Sequence, residues 1–485
     1  MLLTGEYAYK LKKPVDFGFL DFSTLERRHR FCVEELRLNR RFAESLYVDV
    51  VAVTRTDGVA RFGGDGEVIE YAVRMRQFPS EMQLDRRLAA GQVSLAELAD
   101  FGVALAHVHA TLPRCTGDSE FGTAASVLGP VHENFLQIRG SRFASVSRDL
   151  VDSVEAWSNA KHAELSQSIE ARRRDGFVRE CHGDLHLSNL VRLDGATYAF
   201  DCIEFSEGLR WIDVISDAAF LVMDCGVRGR DDLAYAFLDR YLERTGDYGG
   251  GALLGFYLVY RSMVRAKVAA LQAQRADDVE LRRRFLAHLE YADARAHARP
   301  AIILMCGLSG SGKSWVAERL IPSLPAVRIR SDVERKRLAD LAPQARTGSA
   351  VDSGLYAAER SDALYVHLAS SGTALVGGGE RAIVDATFLT VSRRDPFREA
   401  AARMGVACVI VHCVAPRSVL VQRIKARQDE QRDPSEATIE VLEAQALTYQ
   451  PPVDTEGIVV TIDTSGPVDI DALTKRIRTA IDATD

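Results

Sequence analysis

The stretch 301-AIILMCGLSGSGKSWVAERLI-321 decides the fold of the second half of the chain. It opens with six apolar residues, continues with a glycine-rich turn and ends in a segment of helical character. Residues 307–314, GLSGSGKS, fit the spacing GxxxxGK followed by Ser or Thr. In such a turn the backbone N–H groups converge at a helix N-terminus, where phosphate oxygens bind. The stretch therefore predicts a parallel α/β sheet with a phosphate-binding loop.

The residues of this loop have distinct expected tasks. Lys313 is expected to reach the β- and γ-phosphates of ATP, and Ser314 to ligate Mg²⁺. The whole predicted nucleotide-binding loop is Gly307, Leu308, Ser309, Gly310, Ser311, Gly312, Lys313 and Ser314. The alternative is a glycine-rich turn without a ligand, which the flanking strand and helix disfavour.

Apolar runs alternate with helical segments from residue 301 onward. The runs are 301–306, 327–330, 382–385, 407–413 and 457–462. This alternation predicts a mainly parallel sheet covered by helices on both faces. A charged, helical run at 277–299 is closed by Pro300, and helices usually end before a proline. We therefore predict two domains, 1–298 and 299–485.

Charged side chains follow several of the predicted strands. Asp385 ends the run 382–385 and is expected near Mg²⁺ or the acceptor, while Asp332 follows the run 327–330 as a candidate general base. Arg423 and Arg427 lie four residues apart on one helix face, where they are candidates for clamping the transferred phosphoryl group. Each also has a structural interpretation. The aspartates fit helix N-caps or a buried turn, and the arginines fit a solvated helix face.

This half resembles the P-loop kinases that act on small molecules and polynucleotides, with gluconate-kinase, zeta-toxin and polynucleotide-kinase relatives. The resemblance is carried by the loop and by RSDVERKRL (330–338), IVDATFL (383–389) and RIKAR (423–427). It implies an ATP-dependent kinase in which the two arginines contact the nucleotide and Asp332 faces the acceptor. The acceptor itself is the least transferable feature of that family.

A second motif, HGDLHLSNL at 182–190, lies in the first half and is followed by a predicted strand that ends at Asp201. Asp184 offers a carboxylate that can accept a hydroxyl proton, and Asn189 and Asp201 offer two oxygen ligands for Mg²⁺. Phosphoryl transfer requires these groups. There are two alternatives. One is a zinc site made by His182, Asp184 and His186, and the other is a purely structural turn.

The first half resembles the aminoglycoside-phosphotransferase and choline-kinase-like branch of the protein-kinase-like fold, most strongly at 181–217. The resemblance implies an α+β domain in which Asp184 is the catalytic base and Asn189 and Asp201 hold Mg²⁺. It also implies that Lys10 contacts the phosphates and that Glu35 holds Lys10; Lys12 and Glu34 are close alternatives. Residues 71–79 would connect the two lobes and meet the adenine.

Two features depart from that family. Asp201 is followed by Cys-Ile-Glu204 and not by the Phe-Gly pair of protein kinases. The absence of Phe-Gly is normal in the aminoglycoside-kinase branch. Only nine residues precede Lys10, where a kinase small lobe has a strand–turn–strand cover over the phosphates. We therefore expect a small lobe truncated at its N-terminus, a nucleotide bound in the open, or an inefficient kinase. Together the two halves resemble a bacterial family of fused proteins that join an aminoglycoside-phosphotransferase-like domain to a P-loop kinase-like domain, because KLKKPVDFGFLDFSTLERR (10–28), HGDLHLSNL and GLSGSGKS occur in that order. This resemblance implies no particular substrate.

Composition excludes several classes of function. The 485 residues are 47% hydrophobic and 27% charged, values typical of globular domains. The net charge of −7 gives no overall attraction to nucleic acid or to an anionic membrane. The eight cysteines are scattered without a CxxC pair, which is typical of reduced cytoplasmic proteins. No apolar run of membrane-spanning length and no signal peptide is evident.

We therefore predict a cytoplasmic, ATP- and Mg²⁺-dependent phosphotransferase with two nucleotide sites, acting on hydroxyl groups of small polar metabolites. One alternative is that the first domain is a nucleotide sensor or pseudokinase that regulates the second. Another is that the second domain phosphorylates nucleic-acid ends, although it lacks the basic excess this requires. An aminoglycoside acceptor would need an acidic cleft, for which Glu204 and Glu207 are candidates.

Overall fold

The computed structural model describes residues 1–16, 21–273, 278–343, 345, 357–430 and 437–484. Two compact units divide the chain. The first contains Met1–Gly229 and Tyr257–Ala292, and the second contains Arg230–Phe256 and Asp293–Asp485. A single boundary near residue 299 does not describe this division, because residues 230–256 belong to the second unit.

The first unit begins with an antiparallel five-stranded sheet and one helix. The elements are β1 (Leu2–Leu3), β2 (Tyr7–Leu11), α1 (Leu25–Ala43), β3 (Tyr47–Thr56), β4 (Val59–Phe62) and β5 (Glu67–Arg76). The strand order is β1-β2-β5-β3-β4. One two-residue strand, β1, precedes the lysine strand β2 within the fully described residues 1–16 and pairs with it. Residues 71–76 of the predicted lobe connection belong to β5, so the chain leaves the sheet only at Gln77.

Helix α1 packs one face on this sheet. Its N-cap Thr24 accepts a hydrogen bond from the Arg27 N–H at 3.2 Å, as polar N-caps commonly do. Cys32, Glu35 and Leu38 are buried at a spacing of three residues, which places them along one side of the helix. Cys32 packs with residues of β3 and β5 in one hydrophobic cluster. The register of α1 therefore carries Glu35 to the sheet.

The remainder of the first unit is mainly helical. Its helices are α2 (Leu84–Ala89), α3 (Leu95–Thr111), α4 (Ala124–Arg139), α5 (Arg148–Arg174), α6 (Glu207–Arg210) and α7 (Val214–Val227). Its short strands are β6 (Val178–Glu180), β7 (Leu190–Leu193), β8 (Ala196–Ala199) and β9 (Trp211–Asp213), which pair as β6-β9 and β7-β8. The HGDLHLSNL motif occupies the loop that leads into β7.

Helix α8 (Asp231–Thr245) belongs to the second unit, while α9 (Gly251–Gln272) and α10 (Val279–Ala296) contribute residues to both. The Asp239 carboxylate of α8 accepts the backbone N–H of Arg328, on strand β11 (Ala326–Arg330), at 2.7 Å. Both residues are buried. This packing explains why residues 230–256 separate from the rest of the first half.

The second unit is built on a five-stranded parallel sheet. The further strands are β10 (Ala301–Cys306), β12 (Arg381–Asp385), β13 (Ala407–Val414) and β14 (Ile458–Asp463), in the order β11-β12-β10-β13-β14. Every residue of β10 is buried, as expected for a central strand covered on both faces. The helices are α11 (Lys313–Ser323), α12 (Ser331–Arg337), α13 (Ala358–Gly377), α14 (Val391–Met404), α15 (Arg417–Glu430), α16 (Ile439–Thr448) and α17 (Ile470–Asp482). All five predicted strands are present, with ends displaced by at most one residue.

Within the described residues, no helix is both long enough and apolar enough to cross a membrane.

Candidate functional sites

The predicted phosphate loop lies between β10 and α11, at the carboxyl end of the sheet. Gly307, Gly310 and Gly312 have φ values of +141°, +82° and +81°, which side chains rarely tolerate. A Cβ on Gly307 would lie 2.4 Å from the carbonyl oxygen of Cys413, and one on Gly310 would lie 2.8 Å from that of Leu420. The glycines are therefore required by both conformation and space.

Lys313 is held inside this loop. Its side chain is buried, and its Nζ donates to the Leu308 carbonyl oxygen at 2.8 Å. Burial lowers the pKa of Lys313, while the neighbouring charge of Asp385 opposes that change. The loop thus holds a buried lysine against its own backbone, the position in which a cation can meet a bound phosphate.

Asp385 reaches the loop through the strand register. It pairs with Met305 across the β10–β12 ladder and with Arg330 across the β11–β12 ladder. Two residues later, the Thr387 carbonyl accepts the Gly307 N–H at 3.1 Å. Asp385 is not a helix N-cap, because α14 has Thr390 at that position. Asp332 is not one either, because α12 has Arg330 as its N-cap.

A cavity of about 820 Å³ brings the predicted groups of the second unit together. Its lining includes the loop residues Ser309, Gly310, Gly312, Lys313 and Ser314, together with Asp332, Asp385, Arg423 and Arg427. The other three loop residues, Gly307, Leu308 and Ser311, complete the backbone turn. Side chains from four separate segments that the sequence analysis singled out therefore line one cavity.

The two predicted arginines take different partners. The Arg423 guanidinium donates to the Gly310 carbonyl at 3.3 Å and to the Thr464 hydroxyl at 3.2 Å. Arg427 donates to the Ala437 carbonyl at 3.3 Å. Arg423 is consequently fixed against the phosphate loop and does not belong to a solvated face.

Several cavity residues were missed by the sequence analysis. Gln445 of α16 accepts the Ser309 N–H at 2.9 Å, and Arg335, Tyr365 and Arg393 line the cavity. Arg335 follows Asp332 by three residues, a spacing that puts both on one side of a helix, so a signal existed for it. The other residues come from distant helices and give no local signal.

The first unit places the predicted lysine and glutamate in contact. Lys10 Nζ lies 2.8 Å from Glu35 Oε1 and also forms an ion pair with Asp201. Glu35 Oε2 lies 2.7 Å from Lys12 Nζ, and Lys12 in turn pairs with Glu204. Burial alone would raise the pKa of Glu35, but the two lysines outweigh it and the pKa is lowered.

The structure treats the two alternatives, Glu34 in place of Glu35 and Lys12 in place of Lys10, differently. Glu34 turns away from the sheet, since its carboxylate binds Arg37 at 2.6 Å and Arg210 at 3.0 Å. Lys12 does contact Glu35, so both predicted lysines share the same carboxylate. Glu35 is the residue that can orient Lys10.

The HGDLHLSNL segment brings Asp184 and Asn189 together. The Asn189 amide nitrogen donates to the Asp184 carboxylate at 3.1 Å and to its carbonyl at 3.0 Å. His186 Nε2 lies 3.3 Å from the same carboxylate. Burial would raise the pKa of Asp184, but the hydrogen bond and charge of His186 lower it to about 2. Asp184 is therefore an ionised acceptor.

The backbone of this segment is anchored by Asp217. Its carboxylate accepts the N–H groups of His182 at 3.1 Å and of Gly183 at 2.9 Å. The His182 carbonyl accepts the Ile203 N–H at 3.1 Å, which ties the motif to the segment after Asp201. Asp201 itself has a φ of +67°, an uncommon conformation often retained at functional sites.

The zinc alternative does not fit this arrangement. The two ring nitrogens of His182 contact the Phe200 carbonyl at 2.9 Å and the Asp184 N–H at 3.3 Å. Among the described residues, the cluster of metal-type ligands is instead His109, Cys181 and Asp217. The Asp217 oxygens in that cluster already serve the His182 and Gly183 N–H groups. Neither set resembles an open metal site.

Together, the parallel sheet, the glycine-rich loop and its buried lysine define a P-loop nucleotide-binding domain in the second unit. Consistent with this, the AAA_33 family, described as an AAA domain, matches residues 302–452. The chain is 32% identical to the uncharacterized protein Rv2004c of Mycobacterium tuberculosis H37Rv across 468 residues, which cover 96% of this chain and 91% of the relative. The uncharacterized protein Mb2027c of Mycobacterium bovis matches equally well. The chain belongs to the family of these mycobacterial proteins.

Solved structures resemble the second unit only distantly. A gluconokinase from Sinorhizobium meliloti 1021 has a TM-score of 0.27 and 22% identity, covering 39% of this chain and 93% of its own. The APS kinase CysC of Mycobacterium tuberculosis has a TM-score of 0.28 and 21% identity, covering 38% of this chain and 99% of its own. The fold is assigned from the sheet, the loop and the family match instead.

Proposed function

We propose that the second unit is an ATP- and Mg²⁺-dependent kinase that phosphorylates a hydroxyl group of a small polar metabolite. One observation carries this proposal: a single cavity gathers Lys313, Asp385, Asp332 and Arg423 around the phosphate loop. A loop that only bound nucleotide would need neither the carboxylate of Asp332 nor the guanidinium of Arg423, which comes from another helix. Phosphoryl transfer uses both.

The residues present fit a magnesium ion. Ser314 and Asp385 both line the cavity and offer a hydroxyl and a carboxylate oxygen, which are ligands that Mg²⁺ accepts beside phosphate oxygens and water. When bound, the ion would neutralise charge on the β- and γ-phosphates.

The protein itself binds the phosphates, stabilises the transferred group and accepts the proton. The loop N–H groups and Lys313 bind and orient the phosphates, and Arg423 stabilises the charge that develops on the γ-phosphoryl group. Asp332 orients the acceptor hydroxyl and takes its proton as the new O–P bond forms and the bond to ADP breaks.

Transfer of label from γ-labelled ATP into a fractionated bacterial metabolite extract tests this proposal. Wild type should form a labelled product that Lys313→Ala does not form. The matched control is Lys425→Ala, because Lys425 is an exposed lysine of the same unit that does not line the cavity. Equal labelling by Lys313→Ala and wild type would contradict the proposal.

We infer that the first unit holds a second nucleotide site of the protein-kinase-like type. The support is the contact of Lys10 with both Glu35 and Asp201, since a lysine held by a helix glutamate beside a metal-binding aspartate orients ATP phosphates in kinases. Asn189 and Asp201 supply oxygen ligands that fit Mg²⁺, and Asp184 is the ionised group that accepts the hydroxyl proton.

Asp184→Asn separates an enzyme from a nucleotide sensor. An active first unit should lose one labelled product in this variant while ATP affinity is retained. If every product persists in Asp184→Asn but disappears in Lys313→Ala, the first unit is a sensor.

A further inference from the structure

Gln445 of α16 has a defined orientation against the phosphate loop. Its side-chain oxygen accepts the backbone N–H of Ser309 at 2.9 Å. A backbone N–H can only donate, so the amide atom that receives it must be the oxygen Oε1. The position of the amide nitrogen Nε2 follows from this contact, because the two atoms belong to one planar group.

Gln445 and Lys313 bind the same peptide group of the loop. Lys313 Nζ donates to the carbonyl oxygen of Leu308 at 2.8 Å, and the Ser309 N–H belongs to the same peptide bond. The oxygen and nitrogen of an amide are about 2.3 Å apart, so Lys313 Nζ lies at most about 8 Å from Gln445 Oε1. A lysine at this position of the motif reaches the β- and γ-phosphates of ATP. The end of the triphosphate that Lys313 reaches is therefore also near the amide of Gln445.

The amide nitrogen of Gln445 has two unused donors. A primary amide carries two N–H groups, and within the described part of the chain Nε2 makes no hydrogen bond to another protein group. Gln445 lines the cavity together with Ser309, Gly310 and Lys313. A ligand in this cavity is therefore the partner that these donors can meet.

Helix α16 fixes the side chain that carries these donors. Four residues of the helix line the cavity at positions i, i+3, i+4 and i+7, which form one helix face: Val441, Ala444, Gln445 and Thr448. Leu442 packs in a hydrophobic cluster with Leu420 and Ile424 of α15. Directly after α16, the Tyr449 hydroxyl shares a hydrogen bond with His412 of β13 at 2.7 Å. The cavity face of α16 is thus supported near both ends, as a precise binding contact requires.

We propose that Gln445 is a catalytic residue of the second unit, whose Nε2 donates a hydrogen bond to the terminal phosphoryl group of ATP. This inference rests on the kinase activity proposed above. As the acceptor oxygen bonds to the γ-phosphorus and the bond to ADP breaks, the hydroxyl proton passes to Asp332 and charge spreads over the outer oxygens of the transferred group. A fixed donor stabilises that charge without having to reorganise.

Gln445→Glu tests the donor separately from the loop contact, because a carboxylate still accepts the Ser309 N–H but cannot donate. The full-length protein is titrated by calorimetry with ADP and with a non-hydrolysable ATP analogue, each in the presence of Mg²⁺. Binding that disappears in Lys313→Ala is assigned to the second unit, because the first unit is proposed to bind nucleotide as well. In Gln445→Glu we expect the affinity for the analogue to fall about tenfold and the affinity for ADP to change less than about twofold.

Two further variants separate the lost donor from an added charge. Ala446→Glu places the same carboxylate at the next position of α16, which is exposed and does not line the cavity. It should bind both nucleotides as wild type does. Gln445→Met removes the donors without adding a charge, and it should weaken binding of the analogue more than binding of ADP. In the metabolite extract, the Lys313-dependent product should form about 100-fold more slowly with Gln445→Glu.

The outcomes separate this inference from the proposed kinase. Equal affinity of wild type and Gln445→Glu for the analogue would overturn the inference and leave Gln445 as an anchor of the loop. Tighter binding of the analogue by Gln445→Met would also overturn it, because the amide would then compete with the phosphate. An equal loss of ADP and analogue affinity would place the contact at the inner phosphates instead. The absence of Lys313-dependent binding in wild type would contradict the nucleotide site, and with it both proposals.

Discussion

Glu35 on α1 and Lys10 on β2 lie 25 residues apart in sequence, yet Nζ and Oε1 are 2.8 Å apart. The second oxygen of the same carboxylate lies 2.7 Å from Lys12 Nζ. Glu35 is fully buried, and its carboxylate is the partner that the two lysines share, beside the Asp201 partner of Lys10 and the Glu204 partner of Lys12. The pair therefore links the orientation of α1 to the proposed phosphate-binding lysine.

Replacing this carboxylate should destabilise the first unit. Glu35→Gln leaves two lysines without their shared partner, and removing one member of a buried ionic network costs on the order of 3 kcal/mol. Urea unfolding followed by circular dichroism measures the loss. Glu26→Gln, at an exposed position in the first turn of α1, is the control. Equal stability of the two variants would show that the lysines are satisfied without Glu35.

A buried histidine should make the first unit sensitive to mild acid. His288 is buried, and burial lowers its pKa from 6.5 to about 4. Because the unfolded chain binds the proton more readily, the contribution of this group is complete above pH 6.5 and is lost as the pH falls toward 4. The loss is about 3 kcal/mol at most. His288→Asn should show a smaller fall in unfolding free energy over this window; an identical fall would refute the assignment.

The buried ion pair of Arg394 and Glu456 should be required for the segment after Asp385. Their atoms lie 2.6 and 2.7 Å apart, and Arg394 also donates to the Phe388 carbonyl at 2.8 Å. Arg394→Met strands a buried carboxylate, at a cost of about 3–5 kcal/mol. The loss of stability is measured as the difference in melting temperature between this variant and Arg403→Met, a control at a 70% exposed arginine of the same helix. Matching melting temperatures would argue against a supporting role.

A single methyl group should block the phosphate loop. Gly307→Ala places a Cβ 2.4 Å from the Cys413 carbonyl at a φ of +141°, so the loop must move. We expect ATP binding by the second unit to be lost in a titration with a fluorescent analogue. Gly466→Ala, where nothing lies within 4 Å, should bind normally. Because the first unit is proposed to bind nucleotide as well, the readout is the number of sites: an unchanged number of bound analogues in Gly307→Ala would mean that the loop does not hold the nucleotide.

Loss of the candidate base should affect turnover but not nucleotide affinity. Asp332→Asn keeps the shape of the side chain and removes the proton acceptor, which contributes about 10²–10⁴-fold in comparable enzymes. The test compares wild type and Asp332→Asn in two measurements: the steady-state rate with the extract fraction that yields the Lys313-dependent product, and the affinity for ATP. A change in ATP affinity with an unchanged rate would place Asp332 in nucleotide binding instead.

Local patterns predicted most of the second unit. The six apolar residues of β10 and the glycines of the loop depend on short-range requirements, burial on both faces of a strand and permitted φ values. Such requirements involve residues close together in the chain, so they can be recognised from the sequence. Asp332 and Asp385 were singled out because each follows a predicted strand, and both line the cavity; their predicted roles stay predictions.

Other contacts depended on pairings that no local pattern records. Neighbouring residues of an α-helix point about 100° apart, so helical character alone could not separate Glu34 from Glu35 until α1 packed on its sheet. Arg393 and Gln445 reach the cavity from α14 and α16, whose positions depend on how those helices pack.

The sequence by itself determined that this protein contains a phosphate loop on a parallel sheet and a second motif rich in proton acceptors and metal-type ligands. It did so because both depend on residues close together in the chain. Only the tertiary structure decided which glutamate holds the lysines, that residues 230–256 join the second unit, and that Arg393 and Gln445 line the same cavity as Asp332. Those outcomes depend on helix rotation and on packing between segments far apart in sequence, which only the folded chain specifies.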